Sequence, residues 1–417
     1  MDDDGGKAAK WRVIGPGLVV AGTGVGAADM VATLAAGSRY GYTLLWAVIV
    51  GVVLKIILVE GAGRYTLATG YTIFEGWRSL GRWTTWYFGP YIVIWGFVYG
   101  ASAMSSTALP LAAMFPQLSL NVWAILMGLL GFVLVWFNQY AVFERITAAL
   151  VGLMFITIVV LAVIAAPNVP GMLTGLVPII PEGGLLYTLA LAGGVGGTIT
   201  LAAYGYWLRE KGWYTPKWMK VMRIDNTMAY VMTGIFVVSM LIVGAEVVRA
   251  AGVTISAGDR GLLDLNRVLN ERYGTVIGTA FLWGFWAAAF SSVIGVWNGV
   301  SLMFADFWGH VRGLEHGHPD TLIGGRYFKA YLVWLTFPPM LLLLLGQPIG
   351  LILAYGVLGS LFMPFMALTN LGLLNGRRIP HGWRNSTIQN VLLGITALLF
   401  VALGVSQLID AVTRIFQ

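Results

Sequence analysis

The sequence predicts an all-α integral membrane protein with eleven spanning helices. The first ten form a five-plus-five inverted repeat in which helices 1 and 6 are unwound, and an eleventh helix follows. Three observations predict this. First, 58% of the 417 residues are hydrophobic, only 10% are charged, and mean hydropathy is +0.80. A soluble domain carries about 25% charged residues. Second, the chain holds a series of apolar runs near the length needed to cross a bilayer, about 20 residues. Third, the first and sixth of these runs carry glycine clusters near mid-span.

Helices 1 to 5 are expected at 12–36, 43–64, 84–112, 120–137 and 143–166. Helices 6 to 10 are expected at 185–208, 226–248, 275–305, 326–346 and 349–373, and helix 11 at 387–412. Residues 1–11 then form a cytoplasmic tail, 12–166 the first repeat and 185–373 the second. Helix 1 reads as a span and not a cleavable signal: Asp29 lies inside it, and no small-residue cleavage pattern follows. The longest polar stretches are 209–225, 249–274 and 306–325. Lys and Arg concentrate on the side of the N-terminus, in Arg64, Arg78, Arg82, Arg145, Arg209, Lys211, Arg223 and Arg326 among others. That asymmetry places the N-terminus in the cytoplasm and, after eleven crossings, the C-terminus outside. The net charge of +7 is accounted for by these loops, so no nucleic-acid partner is expected. The basic run at 209–223 suits contact with anionic membrane lipid.

Helix 1 contains Gly22-Thr23-Gly24-Val25-Gly26-Ala27-Ala28-Asp29, and helix 6 contains Gly193-Gly194-Val195-Gly196-Gly197-Thr198-Ile199-Thr200. Close helix packing would explain either cluster alone. A matched pair in two inverted halves points to a substrate site at the midplane. Unwinding frees backbone N–H and C=O groups, which a membrane tolerates only where they line a cavity or bind something. Asp29, a carboxylate inside a span, marks the same place. Lys55 and Glu60 of helix 2 are five residues apart and do not share a face, so Lys55 is expected to pair elsewhere or to snorkel.

Other chemistries are excluded. Cysteine is absent, and the four histidines, His310, His316, His318 and His381, lie in polar stretches. No thiolate site, disulfide, Cys nucleophile or midplane histidine is available. No phosphate-binding loop and no selectivity-filter repeat occurs. The expected protein is a secondary transporter, with a channel as the alternative, not an enzyme, and with no cofactor.

Gly15-Pro16-Gly17, the run Arg39 to Trp46, Ser291-Ser292, Gly299 with Met303 to Phe307, and Pro364 to Thr369 form a further set of stretches. Together they resemble the Nramp family of divalent-metal transporters. The resemblance covers roughly 14–375 and implies a LeuT/APC-type fold. The functional motifs depart from the family. Where its helix 1 carries Asp-Pro-Gly-Asn, with Asp and Asn on the metal, this chain has Gly26-Ala27-Ala28-Asp29. Where its helix 6 carries Met-Pro-His, this chain has Thr200-Leu201-Ala202. The acids of the family's helix 3 proton route are missing, since no Asp or Glu occurs between Glu75 and Glu144. Tyr99, Ser102 and Ser106 share one face there.

These departures argue against manganese or iron and leave two substrates open. The first is a small neutral organic solute such as a sugar, moved by alternating access without the family's proton route. Asp29 would accept hydroxyl hydrogen bonds, and Trp207, Trp283, Trp286 or Trp297 would cover the apolar face. The second is a divalent cation, Mg²⁺, held by Asp29 and Thr200 with waters. The sequence favours the organic solute. The expected lining is Asp29, Gly26, Ala27, Gly197, Thr198, Thr200, Ser102, Ser291, Asn298, Trp297 and Tyr355.

Overall fold

The computed structural model describes residues 15–137, 140–194, 197–252, 260–344 and 348–415. The expected tail at 1–11 lies outside them. Every regular element among the described residues is helical, and each expected span coincides with a helix or a broken helix. Helix 1 consists of Pro16–Gly24 and Ala27–Tyr40. Helices 2 to 5 are Leu45–Thr69, Arg82–Met114, Leu120–Phe137 and Tyr140–Ile164. Helix 6 consists of Leu185–Leu189, a π turn over Ala190–Gly194, and Thr200–Glu210. Helix 7 is Met219–Val243 with a π turn over Gly244–Val248. Helices 8 to 11 are Thr275–Val311, Arg326–Leu343, Pro348–Asn375 and Thr387–Ile415. Short helices at Ile73–Ser79, Val169–Thr174 and Arg260–Tyr273 join the spans.

Local chemistry sets the helix ends. Pro16 opens helix 1, where its missing N–H costs nothing. Gly70 ends helix 2 in the left-handed region, φ 75°. Thr72 and Glu75 form a reciprocal capping box on Ile73–Ser79. Helices 3 and 8 are the inner pillars: 72% of the apolar window of each is buried. Helices 4 and 5 are peripheral, at 28% and 39%, and turn Leu126, Val133, Ile156 and Val163 outward as a lipid-facing surface. Helix 3 keeps Pro90 and Pro110 inside its length. In a bundle, neighbouring helices compensate for the lost ladder bonds.

The first half of helix 1 is enclosed by helices 5, 7 and 8 and by the second half of helix 6. Polar ties gather at the face of the bundle where helix 1 begins, here the near face. Asp225 of helix 7 accepts hydrogen bonds from the backbone N–H of Gly15 (3.1 Å) and Gly17 (2.6 Å), and from the Tyr204 hydroxyl (2.9 Å). The helix 1 start, helix 6 and helix 7 are thus joined at one carboxylate. Lys211 pairs with Glu144 at 2.6 Å, and Glu60 holds both Arg64 (3.1 Å) and Arg223 (2.9 Å). Arg64 in turn donates to the carbonyls of Trp383 and Arg384 and to Asn385, which anchors the link before helix 11. At the far face Tyr42 donates to Glu246 at 2.8 Å.

Candidate functional site

Both expected interruptions are present, and both are narrower than the glycine clusters that announce them. Helix 1 stays helical through Gly24, and only Val25 and Gly26 are unwound before Ala27. The Val25 N–H returns to the Gly22 carbonyl at 3.4 Å. Helix 6 loosens first into its π turn and restarts at Thr200, with Val195 and Gly196 outside the described residues. Gly197 has φ 98°, a conformation that side-chain-bearing residues rarely adopt. The two breaks abut. A Cβ placed on Gly197 would lie 3.0 Å from the Gly24 Cα and 2.9 Å from the Thr200 Oγ1. Both breaks are buried, Val25 at 1% and Thr200 at 3% exposure.

Helix 8 supports the break from behind. Ser292 donates to the Thr23 carbonyl at 2.8 Å, and Ser291 lies 3.4 Å from the Gly22 carbonyl while donating to Ala288. Gly295 lets helix 8 approach the Thr23 side chain. The Thr23 hydroxyl is buried there without a hydrogen-bond partner among the described residues. Tyr99 of helix 3 meets the Ser292 hydroxyl at 2.8 Å.

The structure gathers part of the expected lining at the breaks. The backbone of Gly26 and Ala27, with Gly197, Thr198 and Thr200, stands at the two interruptions. Asp29 belongs to the first turn of the second half of helix 1, where freed N–H groups favour an anion. The side chains of Ala27, Asp29 and Tyr355 lie outside the described residues. The remaining members are engaged in packing. Asn298 accepts the Trp207 indole N–H at 2.8 Å, and Trp297 donates to Thr336 at 2.8 Å. Ser102 is buried on helix 3. Two ionic residues outside the expected lining are prominent. Asp225 ties down helix 1, and Lys55 reaches the helix 6 break, donating to the Gly197 carbonyl at 2.5 Å. The rule that singled out Asp29, that charge inside a span marks function, would have singled out Lys55 too.

Outside the spans, the short helix Ile73–Ser79 carries Glu75 into a cluster with His310 (3.4 Å) and His316 (2.9 Å). Burial pushes the Glu75 carboxyl up. Hydrogen bonds from His310, the Thr72 N–H and His316 outweigh that and hold it at about 2. Asp306, paired with the Tyr206 hydroxyl at 2.7 Å, lines a cavity of about 60 Å³ beside this cluster. Among the described residues, no group of three or more His, Cys, Asp and Glu side chains is arranged to hold a metal ion.

Comparison with known proteins decides the family. The family model described as Nramp, natural resistance-associated macrophage protein-like, matches residues 17–410. The chain belongs to the Nramp family. The divalent metal cation transporter MntH of Chromohalobacter salexigens is 27% identical over 321 residues, 72% of each chain. MntH of Mycobacterium tuberculosis is 23% identical over 388 residues, 89% of this chain and 86% of that one. A manganese transporter of Eremococcus coleocola shares the fold, with a TM-score of 0.83 at 14% identity over 100% of this chain and 90% of that chain. The Mhp1 nucleobase-cation symporter fits with a TM-score of 0.55 over 96% and 91%. The LeuT-type fold of a membrane transporter, and not an enzyme, follows.

The expectation of a neutral organic solute such as a sugar is overturned. The curated relatives named above are divalent metal cation transporters. The geometry gives the physical reason. Two of the tryptophans expected to cover a sugar are committed to packing: Trp207 and Trp297 are fully buried with their N–H groups bonded to neighbouring helices. Trp283 is 38% exposed and packs edge-on against Trp286, which stacks on Phe290. The carbonyl oxygens freed at a helix break are donors of the kind that suit a hard cation.

Proposed function

We propose that this Nramp protein carries a divalent metal cation across the membrane, bound between the breaks of helices 1 and 6. The observation that carries the proposal is the contact of the two breaks, Gly24 at the edge of the unwound Val25–Gly26 against Gly197, within a family whose named relatives move such ions. The Asp29 carboxylate supplies the formal charge. Main-chain oxygens at Gly26, Ala27, Gly197 and Thr198, the Thr200 hydroxyl and water complete the oxygen set. With Gly26 and Thr200 where the family has Asp and Met, every such donor is oxygen. That set suits the hard ions Mg²⁺ and Mn²⁺ over softer ones. Manganese returns as a candidate because an oxygen site accepts it without a sulfur ligand. The Lys and Arg distribution supports a cytoplasmic N-terminus and an outward C-terminus. The cell membrane is the expected location.

The test is uptake into liposomes holding the purified chain and an internal dye responsive to Mn²⁺ or Mg²⁺. Wild-type protein should take up at least one of the two with saturation. Asp29→Asn and Asp29→Ala should abolish nearly all uptake while leaving the melting temperature close to wild type. A folded wild-type protein that moves neither ion would overturn the proposal. Undiminished uptake by both variants would place the charge elsewhere.

A further inference from the structure

Helix 2 brings a second charge to the breaks, of the same sign as the proposed cargo. Lys55 is the eleventh residue of the 25-residue helix 2 and is 1% exposed. Its ammonium donates to the Gly197 carbonyl at 2.5 Å, sits 3.9 Å from the Met363 sulfur and lies over the Phe400 ring at 5.4 Å. The placement is built in. One turn earlier, a Cβ on Gly51 would lie 2.8 Å from the carbonyl oxygens of both Leu191 and Ala192. That glycine lets helix 2 close onto the first half of helix 6 and delivers the Lys55 stem to the break. Lysine neither snorkels to a face here nor pairs with Glu60, which is taken by Arg64 and Arg223.

We propose that Lys55 is a tethered cation that competes with the transported metal for the Gly197 carbonyl and thereby sets the affinity of the site. The inference rests on the cation reading above. An ammonium is a compact point charge on a flexible four-carbon stem, so it can leave the carbonyl without unfolding helix 2. A divalent ion and an ammonium cannot share one carbonyl oxygen in a low-dielectric interior, where like charges repel far more than in water. Metal binding at Gly197 therefore displaces Lys55 and releases helix 2 from the break. Without metal, Lys55 satisfies the unwound carbonyl and pins the break. Lys55 is a positioning residue whose effect appears as competition.

The experiment is calorimetric titration of the full-length protein in nanodiscs with Mn²⁺ and with Mg²⁺. It compares wild type, Lys55→Met, and Lys55→Ala with and without n-propylammonium. Lys55→Met keeps the length and removes the charge, and should bind metal roughly 5- to 150-fold more tightly, the usual span of coupling between two ligands. In Lys55→Ala, added n-propylammonium should weaken metal binding competitively, with no such effect on wild type. A merely structural lysine would not give that rescue. If Lys55→Met does not fold, the alkylammonium comparison carries the test alone. Equal or weaker metal binding by a folded Lys55→Met overturns the inference while leaving the cation reading intact, as does indifference of Lys55→Ala to the amine. Absence of binding in wild type and every folded variant overturns both.

Discussion

At Gly197 a backbone conformation, and not a side chain, shapes the helix 6 break. Its φ of 98° and its contact with Gly24 exclude any larger residue at ordinary cost. Gly197→Ala would add a methyl against backbone on one side and Thr200 on the other, with strain of about 1–3 kcal/mol. We expect a lower melting temperature and loss of most metal uptake, read by differential scanning fluorimetry and the liposome assay. Wild-type behaviour in both would mean that the break tolerates a different path. The glycine clusters made this position legible, because few other reasons gather seven glycines into two clusters inside two spans. The partners of the polar residues were not legible. Asn298 and Trp297 look like pathway residues on a helical wheel, but Trp207 and Thr336 are their partners, and both lie far away in sequence. Lys55 was visible as a buried charge, but one of its partners is a main-chain carbonyl 142 residues away, which no side-chain pattern encodes.

The elements themselves were read well from hydropathy. Every expected span has a helix, with ends shifted by a few residues wherever a helix runs beyond its apolar core. Helix 8 shows this at its end, extending to Val311 past an expected end at 305, because Asp306 and His310 find polar partners. Ties between elements were not legible, and two of them carry predictions. The first is the seating of helix 1 on Asp225. Asp225→Asn replaces an acceptor with a donor opposite the glycine N–H groups, at a cost of about 1–3 kcal/mol for a buried group left unsatisfied. The chain has no cysteine, so a single Leu18→Cys reports cleanly on the helix 1 start. Maleimide labelling at that position should speed up in the Asp225→Asn background, and an unchanged rate would show that Asp225 does not hold the segment. The second is Glu75. Its carboxyl sits at about 2 against an ordinary 4.5, so the ionised form stabilises the fold above about pH 4.5. That stabilisation is lost as pH falls toward 2, and its upper limit is about 3 kcal/mol. Melting curves of wild type and Glu75→Gln should therefore differ most near neutral pH and converge as pH drops below 4.5. A gap that is constant with pH would assign the effect to packing and not to charge.

For the whole molecule, the breaks meet at the centre of the bundle and ionic ties gather at the near face. Glu144 with Lys211, Glu60 with Arg64 and Arg223, and Asp225 with the helix 1 start bridge helices 1, 2, 5, 6 and 7 there. At the far face the Tyr42–Glu246 bond and the Trp46 indole bond to the Ile179 carbonyl (3.1 Å) join different segments. A continuous pore would need neither set to break. A carrier must break one set at a time, because its ion reaches the central site from one face and leaves by the other. Buried and half-buried pairs such as Lys211–Glu144 make that exchange slow relative to diffusion, since breaking one leaves a charge unpaired. The flux law follows from this architecture. Initial Mn²⁺ or Mg²⁺ uptake should saturate with concentration, and vesicles preloaded with the same unlabelled ion should accelerate uptake of tracer by counterflow. Lys211→Met should shift the balance between faces, and so change the uptake rate, without abolishing saturation. Flux that rises linearly over the whole accessible range, with no counterflow, would show a channel and would remove any role for these ties as alternating gates.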